Sequence, residues 1–298
     1  MSTPAHLPNQ SYSGTYFVQD RQNEEELIRL SNQDFMVTAA MGGVLAEHVA
    51  PQSLQKALDV ACGAGGWSIE AVKSYPELSV VGIDVNPHII AYAQAQAATH
   101  QVADQITFQV MDALRILDFA DASFDLVNMR FAMSFLRTWD WPKVLRELLR
   151  VLKPGGILRL TEEEVLHQSS SSASQQFCEL LQCALFRSGH LFSDASTGIT
   201  AHLAPLLAQQ GCQQVQTKTH ALHFRAGTPE GIAYAKDGIA ILRTLKGFIH
   251  KWGCISIDYD LLREHVREEV LAPDFAATWT LLTAWGMKPI SQGASLEG

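Results

Sequence analysis

Residues 57–68 read Ala57-Leu58-Asp59-Val60-Ala61-Cys62-Gly63-Ala64-Gly65-Gly66-Trp67-Ser68. An apolar run closes on an acid, breaks into three glycines and resumes with residues that suit a helix. Glycine has no Cβ, so this turn can adopt left-handed dihedrals and bring its backbone against a ligand. A helix starting beyond the turn points unpaired N–H groups at the same place. The stretch predicts a strand, a ligand-facing turn and a helix, which is the opening unit of an alternating α/β sheet.

The alternation continues outward. Residues 56–61, 79–83, 106–110, 124–128 and 157–161 read as strands, and 68–73, 88–100 and 141–152 as helices. Lys153-Pro154-Gly155-Gly156 is a sharp turn between the last helix and the fifth strand. Parallel strands with right-handed crossovers follow, and such sheets bind ligands beyond the carboxyl ends of their strands. Upstream, residues 1–14 read as a loose polar arm and 23–49 as helix, separated or kinked at Gly42 and Gly43. Residues 1–50 thus form an arm and helical cover, and 51–165 the ligand-binding core. Residues 166–298 complete the sheet, with helices at 173–188 and 199–210 and strands near 213–224 and 275–284. A helical insertion at 228–271 is too long for a simple connection and reads as a substrate lid.

The chain has 298 residues, 47% hydrophobic and 18% charged, an ordinary soluble composition with material for a large core. A net charge of −9 without any basic run argues against a nucleic-acid partner. Five scattered cysteines with no C-x-x-C pair point away from structural zinc and from a disulfide framework, and fit a reducing cytosol. No signal-like stretch or membrane span is read, so a cytoplasmic location is expected. No convergent set of oxygen ligands is identifiable, so no metal is expected.

Polar residues close successive strands. Asp59 ends the first. Asp84 ends the second, about 20 residues after the glycine turn, the spacing at which a carboxylate meets a ribose diol. Met111-Asp112 ends the third, where an acid can accept from an adenine amine, and Asn128 ends the fourth. The dinucleotide fingerprint is half met: Gly63 and Gly65 fit, but Ser68 stands in the third glycine position. An acid beside the turn suits a cationic amine better than a pyrophosphate. S-adenosylmethionine carries such an amine, a sulfonium, a ribose and an adenine.

Four ordered segments, Leu58 to Gly65, Val81-Gly82-Ile83-Asp84, Met111-Asp112-Ala113 and Leu149 to Gly156, resemble the successive motifs of class I S-adenosylmethionine-dependent methyltransferases. The pattern is most similar to the small-molecule type 11/25 branch, ubiquinone-pathway enzymes included, and covers roughly residues 24–165. The resemblance implies a Rossmann-like seven-stranded, mostly parallel sheet with flanking helices. It implies that Asp59 holds the methionine amine, often through water, and that the turn from Ala61 through Gly63 and Gly65 contacts the amino-acid portion. Asp84 would bind the ribose and Val85 pack on adenine, with Met111, Asp112 and Ala113 around the adenine. Asn128 would lie by the methionine carboxylate or sulfonium. Tyr16, Arg29 and Gln33 come from the N-terminal cover, with Arg29 placed to pair with the carboxylate. Ala64 stands where the family carries a hydroxyl, and that contact is lost.

Methyl transfer is an in-line displacement in which the protein aligns nucleophile and methyl group, excludes water and removes at most one proton. A base near neutral pKa favours histidine. His167, after the fifth strand, is the candidate, with His190, His202 and His223 in the variable half. Glu162-Glu163-Glu164 lies at the sheet mouth, with Glu164 a second catalytic candidate, and strand alternation sends Glu163 to the opposite side from its neighbours. Phe131, Met133, Phe186, Tyr234 and Trp252 are candidate substrate-lining residues. The expected activity is methylation of a small, partly hydrophobic molecule in secondary or quinone-like metabolism, at O ahead of N or C, by a monomer or homodimer. The alternative is a non-methylating protein of the same fold, a regulator or an enzyme using the bound cofactor for its charge.

Overall fold

The computed structural model describes residues 24–47, 54–255 and 257–290. Its parallel core is built from β1 (Lys56–Val60), β2 (Ser79–Asp84), β3 (Ile106–Val110), β4 (Phe124–Arg130) and β5 (Leu152–Glu163). These alternate with α2 (Gly66–Ser74), α3 (Pro87–Thr99) and α4 (Trp141–Val151), after an N-terminal α1 (Glu24–Ala40). The later chain adds β6 (Gln168–Ser169), α5 (Ser172–Arg187), α6 (Thr200–Gln209), β7 (Gln213–Arg225), α7 (Pro229–Lys251), α8 (Tyr259–Val270) and β8 (Ala276–Met287). The sheet runs β3-β2-β1-β4-β5-β8, and β7 covers the far edge of β8. Strand order therefore reverses between β1 and β4, the place where sheets of this kind take their ligands.

Among the described residues eight strands are present where seven were expected. The eighth, β6, is a two-residue piece. Thr278 pairs with Gln168 on one side and His223 on the other, so β6 lies on the β8 edge that β5 also uses. Glu164 N–H donates to Thr280 and Ser170 N–H to Ala276, continuing that line past β5. The sheet thus has seven columns, one interrupted after Glu164. The turn read at 153–156 is a bulge inside β5: Phe124 pairs with Leu152 and Leu126 with Ile157. Gly155 supplies the left-handed φ of +77°.

Alternation along the strands makes two apolar layers. Ala57, Val80, Phe108 and Leu126 meet Trp67, Ile69, Ile90 and Ala93 of α2 and α3 on one face. Leu58, Val60, Val127, Met129, Leu158 and Leu160 join α4, α5 and α6 on the other. Helix α4 buries Trp141, Val144, Leu145, Leu148 and Val151, the spacing of one helical stripe. On the first face, Val37 and Met41 of α1 pack on Leu222, Phe224, Trp279 and Leu281 of β7 and β8. Helices α7 and α8, in the region read as a lid, pack on each other and on α5, and α7 also touches α1.

Cys183 of α5 and Cys254, just past α7, form a disulfide. This corrects the expectation of unbridged cysteines: the partners lie 71 residues apart, and no local spacing announces them. Among the described residues, no helix is long and apolar enough to cross a membrane.

Candidate cofactor and acceptor site

The carboxyl ends of the parallel strands converge on the glycine turn. Ala61, Gly63 and Gly65 all have positive φ, at +54°, +53° and +82°. Cys62 N–H donates to Ile83 and Gly65 N–H to Cys62, which fixes the turn to β2. A Cβ on Gly65 or Gly82 would strike the Phe108 ring, whereas one on Gly63 would meet nothing within 4 Å. Gly65 and Gly82 are therefore packing glycines, and Gly63 faces open space.

Asp84 is pinned to this turn. Its Oδ2 accepts from Gly63 N–H at 3.3 Å and its Oδ1 from Asn86 N–H at 2.9 Å. Asn86 in turn caps α3, accepting from His88 N–H. Beyond β3, Asp112 Oδ1 accepts from Leu114 N–H at 2.9 Å and its Oδ2 faces Arg115 Nε at 3.3 Å. Val85, Met111 and Ala113 are half-buried beside them. An accepting carboxylate, an open glycine backbone and a second acid one strand further along form a donor–acceptor pattern that fits a nucleoside with an amino-acid arm.

Asp59 lies behind the turn, buried. Its two oxygens accept from Ser68 Oγ at 2.7 Å and Asn128 Nδ2 at 2.9 Å. Burial raises its carboxyl to about 6, against the pull of those two donors. Asn128 Oδ1 accepts from Arg159 Nη1 at 2.7 Å, and Arg159 forks onto Glu47 at 3.0 and 2.9 Å. His220 Nε2 lies 3.4 Å from the same Glu47. A buried polar row thus crosses β1, β4 and β5 and ends at β7. Asp59 and Asn128 lie beneath the turn, bonded to each other, with Ser68 on Asp59 and Arg159 on Asn128.

Two residues that the sequence reading missed complete this end of the crevice. Asp34 of α1 accepts from Trp67 N–H, in the first turn of α2, at 2.7 Å. Arg130, closing β4, pairs with the other Asp34 oxygen and donates to Thr38 Oγ1 at 3.0 Å. Burial and the like charge of Arg159 pull its guanidinium down to about 9. Arg130 follows Asn128 by two positions on the same strand face, which is a signal the sequence did carry. Arg29 and Gln33, read as cofactor candidates, face α7 instead. Arg29 Nη1 donates to Asp237 at 2.7 Å and Gln33 Nε2 at 3.1 Å, and Arg29 also pairs with Glu26. Tyr16 lies outside the described residues.

At the far side of the rim, His167 Nδ1 hydrogen-bonds Tyr234 Oη at 2.7 Å, and its Nε2 lies 3.9 Å from Glu163 Oε2. The Trp279 ring sits 5.2 Å from the His167 ring and 6.0 Å from Phe131. Phe131 holds a left-handed φ of +55°, an uncommon state for a bulky residue. Phe131, Tyr234 and His167 are therefore brought together. Met133 is buried in the opposite core layer, its carbonyl bonded by His190. Phe186 is exposed on α5, and Trp252 stands past the end of α7, its carbonyl accepting from Arg187. None of these three reaches the cluster. Burial raises the Glu164 carboxyl, but Glu163 is the carboxylate that faces His167. Glu162 accepts from Ala132 and Met133 N–H on the other face.

Residues 57–156 match the family described as a methyltransferase domain. A demethylmenaquinone methyltransferase of Deinococcus radiodurans is 40% identical over 110 residues, 37% of this chain and 44% of that protein. An ajmaline N-methyltransferase of Rauvolfia serpentina is 31% identical over 140 residues, 41% of this chain and 47% of that protein. The match thus spans less than half the length of these two relatives. Among solved structures, YcgJ of Bacillus subtilis superposes with a TM-score of 0.51 at 17% identity, covering 84% of this chain and 98% of that one. The 4+2 cyclase SpnF gives 0.51 at 19% identity, covering 93% and 88%. These two share the fold.

Proposed function

We propose, on the premise that residues 57–156 form a class I S-adenosylmethionine-dependent methyltransferase domain, that this chain methylates a small, partly hydrophobic acceptor. The cofactor is S-adenosylmethionine, which supplies the methyl group. The observation that carries the reading is the tether between Asp84 and the open glycine turn, Gly63 N–H to Oδ2 at 3.3 Å. It supports the reading because a carboxylate able to accept from a diol stands beside a glycine with open space at its Cβ position. Asp112 serves the adenine end and Val85 the ring face.

The acceptor lies towards Phe131, His167, Tyr234 and Trp279, where aromatic faces favour a flat apolar body. His167 acts as general base. In the tautomer with the proton on Nδ1, Tyr234 Oη accepts it, and Nε2 offers its lone pair to an acceptor hydroxyl. Glu163, 3.9 Å away, stabilises the imidazolium that forms. Burial keeps the Tyr234 phenol protonated across the working range. A histidine base at this position favours O-methylation, because a hydroxyl needs its proton removed during transfer. Secondary or quinone-like metabolism is the setting that suits such an acceptor.

The test is calorimetry with S-adenosylmethionine, S-adenosylhomocysteine and NAD, followed by product analysis on phenols, hydroxyquinones and amines. Tight binding of the two adenosyl ligands with turnover of an O-acceptor supports the proposal, and His167→Gln is expected to cut turnover about 100-fold or more without changing S-adenosylhomocysteine affinity. Preference for NAD defeats the cofactor assignment. Binding without turnover on any acceptor leaves a cofactor-binding regulator.

A further inference from the structure

We propose that the groove between α7 and α8 is a binding site for a small anionic amphiphile, a medium-chain carboxylate, separate from the cofactor and acceptor sites. The inference stands apart from the functional reading above, because none of the groove residues belongs to the glycine turn, the buried polar row or the His167 cluster.

Leu245 and Ile249 of α7 and Leu262, Val266 and Val270 of α8 are buried in the large apolar layer. Tyr259 Oη also donates to the Leu242 carbonyl at 2.6 Å, which ties the start of α8 to the middle of α7. Beside that seam the two helices leave a groove of about 390 Å³. Small-molecule sites span roughly 300–1,000 Å³ and pair an apolar lining with a few placed polar groups. Lys236, Ile239 and Leu242 line one wall at a spacing of three, so they share a face of α7. Arg263, Arg267 and Leu271 line the other at a spacing of four, with Glu264 beside them. Leu242 is buried and forms the floor, and Leu271 is exposed on the rim.

Three cations thus face one acid here, in a chain whose net charge is −9. Among the described residues nothing pairs with Lys236, Arg267 or Glu264. Glu264 precedes Arg267 by three positions, a spacing at which helical ion pairs form, yet the two stay apart. Arg263 is only partly committed: its Nη1 lies 3.3 Å from Asp260, an acid that Lys246 already holds at 2.9 and 2.8 Å. The charged heads of Lys236 and Arg267 are therefore available to a ligand anion, and their long apolar stems suit the walls of such a groove. A guanidinium takes a carboxylate through paired, directional hydrogen bonds, which favours that head group. The floor of Ile239 and Leu242 calls for an apolar tail, because a bare inorganic anion would bury none of it. A bilayer is too flat an occupant: Leu242 lies at the bottom of the groove, where a planar surface does not reach.

The experiment is calorimetry on the full chain with decanoate, set against acetate, inorganic phosphate and decylammonium, all kept below aggregation. Decanoate is expected to bind saturably, one to one, and about tenfold or more tighter than each of the other three. Lys236→Gln and Arg267→Gln, both at exposed positions, should each weaken decanoate binding about threefold or more, and Leu271→Ser should weaken it as well. Lys73→Gln removes a cation from α2, where it pairs with Glu70, and should leave decanoate affinity unchanged. Melting curves of the variants should match the wild type, which separates loss of the site from loss of the fold. Decylammonium binding as tightly as decanoate overturns the proposal, because the groove is then merely apolar. Phosphate binding as tightly overturns it too, because the tail then contributes nothing. Unchanged decanoate affinity in the groove variants places the ligand elsewhere and overturns the assignment. Cosedimentation with phosphatidylglycerol vesicles, lost in the same variants and without decanoate binding, overturns it in favour of a membrane contact. Decanoate binding by a protein that takes no S-adenosylhomocysteine supports the groove while the functional reading falls.

Discussion

Asp59 and Glu47 belong to one buried row yet respond oppositely to pH. Burial raises Asp59 from 3.8 to about 6, so the folded state holds this proton more tightly than the unfolded chain. Its favourable contribution is complete below about pH 4 and is lost as pH rises through about 6, a change of roughly 3 kcal/mol. Asp59→Asn should flatten that slope and be neutral to stabilising at pH 7, as measured by urea unfolding across pH. For Glu47, burial alone would raise the carboxyl, but His220 and Arg159 outweigh it and bring it from 4.5 down to about 2. Its contribution is present above about pH 4.5 and is lost as pH falls through about 2. At the glycine turn, the proposed function has Asp84→Ala weaken S-adenosylhomocysteine binding by about 1–3 kcal/mol, read by calorimetry, because hydrogen bonds to a charged group are removed. Asp84 was legible from its distance to the glycines. Asp34 was not, because nothing in the α1 sequence says which of its polar residues meets a turn 33 positions later.

At the scale of elements, the strands, helices and turns follow local chemistry closely. Asn86-Pro87 starts α3 and Thr228-Pro229 starts α7, in each case a side-chain cap followed by a proline that suits the first helical turn. Thr228 Oγ1 accepts from Gly231 N–H at 3.0 Å, so Thr228→Ala should cost about 1 kcal/mol in thermal or urea unfolding. Where the reading slipped, pairing decided. Residues 152–156 carry the Pro-Gly-Gly signature of a turn, yet β4 pairs on both sides of them and absorbs the insertion as a bulge. The two-residue β6 has no periodicity of its own and exists because β8 extends past the end of β5 and offers it an edge. Helix α7 also owes its position to a distant contact, Asp237 with Arg29 and Gln33 of α1.

Across the whole molecule, two long-range ties hold the layers. The Arg159–Glu47 pair, buried at both ends, fixes the segment after α1 to β5. Glu47→Ala should destabilise by about 3–5 kcal/mol, since an uncompensated guanidinium is left inside. The Cys183–Cys254 bridge fixes α5 to the α7–α8 connection across 71 residues. Closing a loop of that size stabilises by up to about 4 kcal/mol in the chain-entropy view. A reductant should therefore lower the melting temperature of the wild-type protein to that of Cys183→Ser and leave the variant unmoved.

The order of apolar runs, glycines and strand-end acids determined an α/β sheet with a glycine turn and acids at the carboxyl ends of its strands, because period-two burial, glycine dihedrals and strand-to-turn spacing act over a few residues. Tertiary structure alone decided which charges meet. Asp34 reaches Arg130 across 96 positions, His167 finds Tyr234 across 67 and Cys183 finds Cys254 across 71. Such pairings depend on how helices lie over the sheet, and side-chain identity fixes that only through the packing of the entire core.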